Sequence, residues 1–266
     1  MKKICLITAM CSVFNLTHSQ NVVLHESSQW KECSFQLDPS LTQTDFHKFT
    51  QEAGLAVYFR SLSTAKPLGK RHLEFSLLEW RTRIDETTNA WNNTFVHPHS
   101  THYLVGGPIL PFPGLCLRAG LTNRLDAGIY WTVRPGANYG LIGGQIQYAF
   151  INDTVNHWSA AARLNLNSLY GPKDLNVSIT GLDVMVSKSL NIYKNKILVS
   201  PYFGISTYLS RSHEKSSLVD LKNELIPGLQ TMLGASAKIY FLTMAAEYNV
   251  AKTNTLSYRM GFNIAF

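Results

Sequence analysis

The sequence predicts an all-β chain closed into an antiparallel transmembrane barrel of about ten strands, preceded by a non-barrel segment that contains one short helix. Three observations carry that prediction. The chain opens with an export signal, and no later stretch reaches the roughly 18 apolar residues that a membrane-crossing helix needs. From about residue 70 onward, apolar and small or polar residues alternate with period two, as strands with two different environments require.

The export signal has its usual three parts. Lys2 and Lys3 form a basic start, residues 4–14 are mostly apolar, and Thr17-His18-Ser19 places small residues at the cleavage positions before Gln20. Met10 is too bulky beside Cys11 for a lipid-attachment site. The expected organisation is therefore a signal peptide over 1–19, an N-terminal segment over 20–69 and a barrel over 70–266. The expected location is the bacterial outer membrane. The formal net charge of +7 becomes +5 once Lys2 and Lys3 are removed. That charge is spread along the chain with no basic block or recognition helix, which argues against a nucleic-acid partner.

Ten strands are expected near 70–82, 113–122, 125–134, 138–150, 156–167, 175–189, 195–209, 227–237, 240–250 and 254–266. The last alternates without a break: Leu256, Tyr258, Met260, Phe262, Ile264 and Phe266 oppose Thr255, Ser257, Arg259, Gly261, Asn263 and Ala265. Two are irregular. Leu78, Glu79 and Trp80 interrupt the first, and in 175–189 the apolar positions change parity around Gly181, which predicts a bulge or bend. Large aromatics fall toward strand ends, as at membrane interfaces: Trp80, Trp131 and Tyr208 at one, Phe150, Trp158, Tyr240 and Phe266 at the other.

Both ends of such a barrel lie in the periplasm, so the strand number is even. Residues 55–63 could form an eleventh strand, but only with a twelfth from 21–37, so twelve strands is the alternative. Turns are placed near Asn123, Asp153, Asn191 and Lys238, and outward loops at 83–112, 135–137, 168–174, 211–226 and 251–253. Ahead of the barrel, Asp38-Pro39-Ser40 precedes a helix over 42–53, with Phe46, Phe49 and Ala53 on one face and Gly54 at its end. This segment either enters the lumen as a plug or lies below the barrel.

Alternation also selects the lumen-lining residues: Arg118, Asp126, Gln145, Gln147, Arg163, Asn165, Asp183, Glu247, Asn249 and Arg259. They could select solutes by charge or close the bore with salt bridges; Glu247 and Arg259 are placed to pair diagonally across a hairpin. Arginine at lipid-facing Ile129, Leu164 or Met244 should then cost about 2–4 kcal/mol, and far less at lumen-facing Thr132 or Asn165. Cys33 and Cys116 are the cysteines left after cleavage, either as two thiols or as a disulfide. Since Cys116 shares a face with Arg118, the bridge requires residues 20–69 to enter the barrel.

Chemistry is thinly represented. His97, His99 and His102 in an outward loop are weak metal candidates with no fourth ligand nearby. No Asp-Asp or His-Asp dipeptide is present, and His157 and Ser159 lack an acidic orienter. The expectation is a protein that is not an enzyme and carries no cofactor.

The ending built from Tyr258, Gly261, Phe262, Ile264 and Phe266 resembles the β-signal of outer-membrane proteins, which implies that the barrel assembly machinery reads it. The stretch from Pro67 onward, notably Gly120–Gly128 and Gly181–Lys188, is similar to a poorly characterised family of proteobacterial outer-membrane β-barrel proteins. That resemblance implies fold and location and no activity. The expected partners are outer-membrane lipid, lipopolysaccharide and the assembly machinery. The expected function is a narrow or gated pore for small solutes; the alternative is a non-conducting surface or scaffold barrel whose loops bind a partner.

Overall fold

Alternation along each strand gives every segment an apolar face and a second face that avoids lipid. In a bilayer such segments must pair along both edges, because lipid offers no partner for a free N–H or C=O. The computed structural model describes residues 34–85, 87–96, 109–133, 139–192 and 196–265, and within them ten strands satisfy that demand by closing. They are β1 (His72–Arg83), β2 (Ile109–Gly120), β3 (Leu125–Val133), β4 (Gly140–Asp153) and β5 (Trp158–Tyr170). β6 (Leu175–Lys188), β7 (Ile197–Glu214), β8 (Glu224–Ile239), β9 (Leu242–Val250) and β10 (Thr255–Ala265) complete the set. Each pairs antiparallel with its chain neighbour, and β10 pairs with β1 from Thr255↔Thr82 to Ala265↔His72, so no edge remains. The ten-strand expectation holds. The twelve-strand alternative does not form: residues 55–57 are helical and 58–63 carry no strand.

The outer face is apolar at mid-height, with Ile129, Leu164, Leu229 and Leu233 half or more exposed. Exposed Trp131 stands toward the loop end, and exposed Phe150, Trp158 and Tyr240 toward the turn end. Trp80 and Tyr208 depart from the expected interfacial belt. Both point inward and are buried.

The two irregular strands are regular in the structure. In β1, Glu74, Ser76, Leu78, Trp80 and Thr82 all face inward, while outward Glu79 accepts a hydrogen bond from Arg81 at 2.5 Å. In β6, Leu175, Val177 and Ile179 face inward together with Gly181, Asp183 and Met185, and the pairing with β5 and β7 runs through Gly181 without a shift. The predicted bulge is absent there; among the described residues the one register shift in the wall lies between Ala149 and Ile151. Apolar residues could change parity because the barrel has apolar surroundings on both sides at that height.

The second apolar surrounding is the chain's own N-terminal part. Helix α1 (Gln43–Val57) begins at Thr42, whose hydroxyl accepts from the Asp45 N–H at 3.2 Å. Just ahead of it, hydrogen bonds from the side chain and backbone of Ser40 hold the Asp38 carboxyl below its usual range. The helix continues through Gly54, where the sequence suggested an end. A Cβ there would lie 2.0 Å from Ser210 Oγ, so glycine permits close contact with β7 instead of terminating the helix. Phe46, Phe49, Ala53 and Leu55 pack with Trp80, Phe112, Leu175, Val177 and Ile179 in one buried cluster. A short second helix, α2 (Asn89–Asn92), caps it through Trp91, whose indole N–H donates to Glu52 at 2.7 Å.

Candidate functional site: the barrel lumen

The N-terminal segment runs through the barrel from the loop end to the turn end. At the loop end, Ser34–Phe35 pairs with Phe95–Val96, Gln43 Nε2 donates to the Lys222 carbonyl at 3.2 Å, and His47 contacts Glu224 at 2.8 Å. At the turn end, the Leu68 N–H donates to both Asp126 carboxylate oxygens at 3.0 and 3.1 Å. Between these points residues 53–63 are buried throughout.

The central node is Asp183 on β6. It accepts from Tyr58 Oη, from Arg163 Nε at 2.5 Å and from Asn165 Nδ2 at 3.2 Å. Arg163 reaches on to Ser61 Oγ at 2.5 Å and Ser63 Oγ at 3.2 Å. Tyr58 has room because residue 181 is glycine: a Cβ there would lie 2.2 Å from its hydroxyl. On the opposite wall Arg60 donates to Asn249 Oδ1 at 2.8 Å and to the Tyr58 and Leu55 carbonyls. Asn249 in turn donates to Glu247 at 3.0 Å, and Tyr202 Oη donates to the other Glu247 oxygen at 2.8 Å. Backbone carbonyls of the segment are held as well, by Trp80 at Ala56, Asn167 at Val57, Gln147 at Thr64 and Ser210 at Thr50. Buried charges need such partners, since removing one side of a buried pair strands the other in a medium that solvates it poorly.

All ten residues expected on the lumen face are buried in the space between wall and segment. Arg163, Asn165, Asp183, Glu247 and Asn249 meet in the network around Tyr58 and Arg60. Asp126 binds Arg118 at 2.5 Å, and Gln147 meets Ser63 and Thr64. Gln145 lies on the same face of β4. Arg259 corrects one expectation: it pairs with Glu74 on β1 rather than with Glu247. The register does place Glu247 diagonally from Arg259, which lies opposite Ala245, but both Glu247 oxygens are already engaged by Tyr202 and Asn249. Sequence reasoning missed the segment's contribution: Tyr58, Arg60, Ser61 and Ser63. A strand-like stretch carrying an arginine among serines was the available signal.

Tyr258, Gly261, Phe262 and Ile264 lie on β10; Phe266 falls outside the described residues. Cys116 is a free, buried thiol, and Cys33 also lies outside the described residues. So do His97, His99 and His102; among the described residues no group of three or more metal-ligating side chains forms.

No family model matches this chain, and no curated protein is significantly similar to it. Solved structures are similar in fold. The attachment invasion locus protein Ail of Yersinia pestis is 11% identical, with 73% of this chain and 99% of that one covered at a TM-score of 0.29. The N-terminal β-barrel domain of Pseudomonas aeruginosa OprF is 12% identical, covering 74% and 99% at 0.29. The outer membrane protease OmpT of Escherichia coli is 6% identical, covering 73% and 96% at 0.36. The closed wall and lipid-facing belt thus define a transmembrane β-barrel of the bacterial outer-membrane class. The last similarity corrects the expectation that the chain is not an enzyme. A protease is among the solved structures of similar fold, so the fold does not exclude catalysis.

Proposed function

We propose that this protein is a closed, non-conducting surface barrel whose loop end presents a platform to a partner. The observation that supports this reading is residues 43–65 lying along the lumen and bonded to β1, β4, β5, β6, β7 and β9. A solute path would require these buried bonds to open together, each leaving a desolvated polar group behind. Short turns face the periplasm and longer loops face outward in such barrels. On that rule the platform formed by residues 34–42, helix α2 and residues 215–223 stands at the cell surface. The narrow-pore reading would instead need the segment to withdraw.

Planar bilayers distinguish the two. The full mature chain is expected to give no unitary conductance steps, and a chain lacking residues 34–66 is expected to give them. Stable steps from the full chain would overturn the closed reading. The platform's side is tested separately with peptide tags on intact cells. A tag placed just before Ser34 should bind antibody without permeabilisation, and one in the turn at 154–157 should not.

A further inference from the structure

The outer wall carries a feature that the lumen does not explain. On β7 the outward residues Phe203, Ile205 and Leu209 are apolar, with Thr207 among them, and the next outward residue is Arg211, followed by His213. A similar change of character occurs on two neighbours. On β5 Leu166 gives way to Ser168, and on β6 Leu182 gives way one level lower to Thr180 and then Ser178; Ser178 stands opposite both Ser168 and Arg211. Above this line a cavity of about 350 Å³ is lined by Ser168, Asn176, Ser178, Arg211, His213 and Asn223. It contains no carboxylate, and Arg211 has no acidic partner among the described residues. His213 is oriented through Nδ1 by Asn223 Oδ1.

Directly below lies a mostly apolar groove lined by Leu164, Leu182, Leu209, Pro227 and Leu229 together with Thr180 and Thr207. The two are adjacent in the register: Leu209, which lines the groove, is opposite Thr180, one level below Ser178 and Arg211. A free guanidinium at the polar edge of the membrane belt, above a furrow open to the hydrocarbon, is complementary to one kind of molecule. It fits an amphiphile with an anionic phosphate head and an acyl chain.

We propose that this strip of β5–β8 is a specific binding site for a phosphate-bearing acylated lipid of the leaflet at the loop end. The phosphate is held by Arg211 and His213, headgroup hydroxyls or amides by Asn176, Asn223 and the two serines, and an acyl chain by the groove. The site is independent of whether the lumen conducts.

The test uses the full mature chain in detergent micelles and native mass spectrometry, with lipid A added as the probe. Wild type should retain the lipid, and Arg211→Ala should weaken retention about tenfold. Thr207→Trp, which fills the groove on a surface that tolerates apolar bulk, should weaken it as well. Arg81→Ala should leave it unchanged, because that guanidinium is already neutralised by Glu79. Dephosphorylated lipid A should bind poorly, and inorganic phosphate in excess should not displace the lipid. Equal retention by Arg211→Ala and wild type, or equal binding of the dephosphorylated lipid, would overturn the site. Displacement by inorganic phosphate alone, with Thr207→Trp unaffected, would overturn the lipid and leave a free-phosphate site. Heat-modifiable mobility of each variant confirms that it is folded before binding is read.

Discussion

Asp183 has a tyrosine, an arginine and an asparagine around it and no exposure to solvent, which makes it the residue on which the lumen network depends most. Asp183→Ala leaves Arg163 buried without its ion-pair partner and is expected to cost about 3–5 kcal/mol, read from urea unfolding in lipid vesicles. Asp220→Ala, at an exposed loop position, should cost almost nothing in the same experiment. The inside–outside assignment is tested by arginine scanning. At Ile129, Leu164 or Met244 the cost should be about 2–4 kcal/mol near the bilayer midplane. Asn165 changes sides in this comparison. An open lumen would accept arginine there cheaply, but Asn165 contacts Tyr58 at 3.0 Å and Asp183 at 3.2 Å and is 1% exposed. Asn165→Arg should therefore destabilise at least as much as the lipid-facing substitutions; a wild-type unfolding curve would show that the segment does not fill the bore. Cys116, buried inside the wall, should resist alkylation until the barrel unfolds, which mass spectrometry after maleimide treatment reads directly.

At the level of elements, the fit between α1 and β7 is set by one pair. Gly54→Ala puts a methyl group into Ser210 and should destabilise by about 1–3 kcal/mol through overpacking. Ser210→Gly removes the obstructing atoms, so the double variant should recover part of that loss; simple additivity of the two effects would show that the helix does not seat there. The wall strands were legible in the sequence because each carries lipid on one side, and lipid imposes a predominantly apolar period of two along that side. β6 shows the limit of that reading. The change of parity around Gly181 predicts a bulge, yet the strand is regular and Leu175, Val177 and Ile179 face α1. Hydrophobicity reports that a side chain avoids water and is silent on whether lipid or protein receives it. Trp80 and Tyr208 misled for the same reason: an aromatic near a strand end marks an interface only when it points outward. Gly54 misled differently, since a glycine that ends a helix and one that lets a helix approach a strand look alike in one dimension.

At the scale of the whole molecule, the lumen segment and the wall form one cooperative structure, so the deletion that is expected to open a channel should also lower stability. Phe266, whose role as an assembly signal we propose from the alternation that leads up to it, gives a further prediction. Its deletion should reduce the folded, heat-modifiable fraction in the outer membrane; normal assembly would remove that role. By itself the sequence determined the strand number, the approximate strand positions and the presence of a helix ahead of the barrel. Those properties follow from local periodicity and from parity, which depend on near neighbours and on the two-sided surroundings of each strand. Only the tertiary structure decided that the N-terminal segment crosses the lumen from the loop end, that Arg259 joins Glu74, and that Asp183 gathers Tyr58 and Arg163. Those contacts join residues as far apart as 185 positions. A single sequence holds no periodic signal for such a pairing, because its energy depends on where closure of the sheet places the opposite wall.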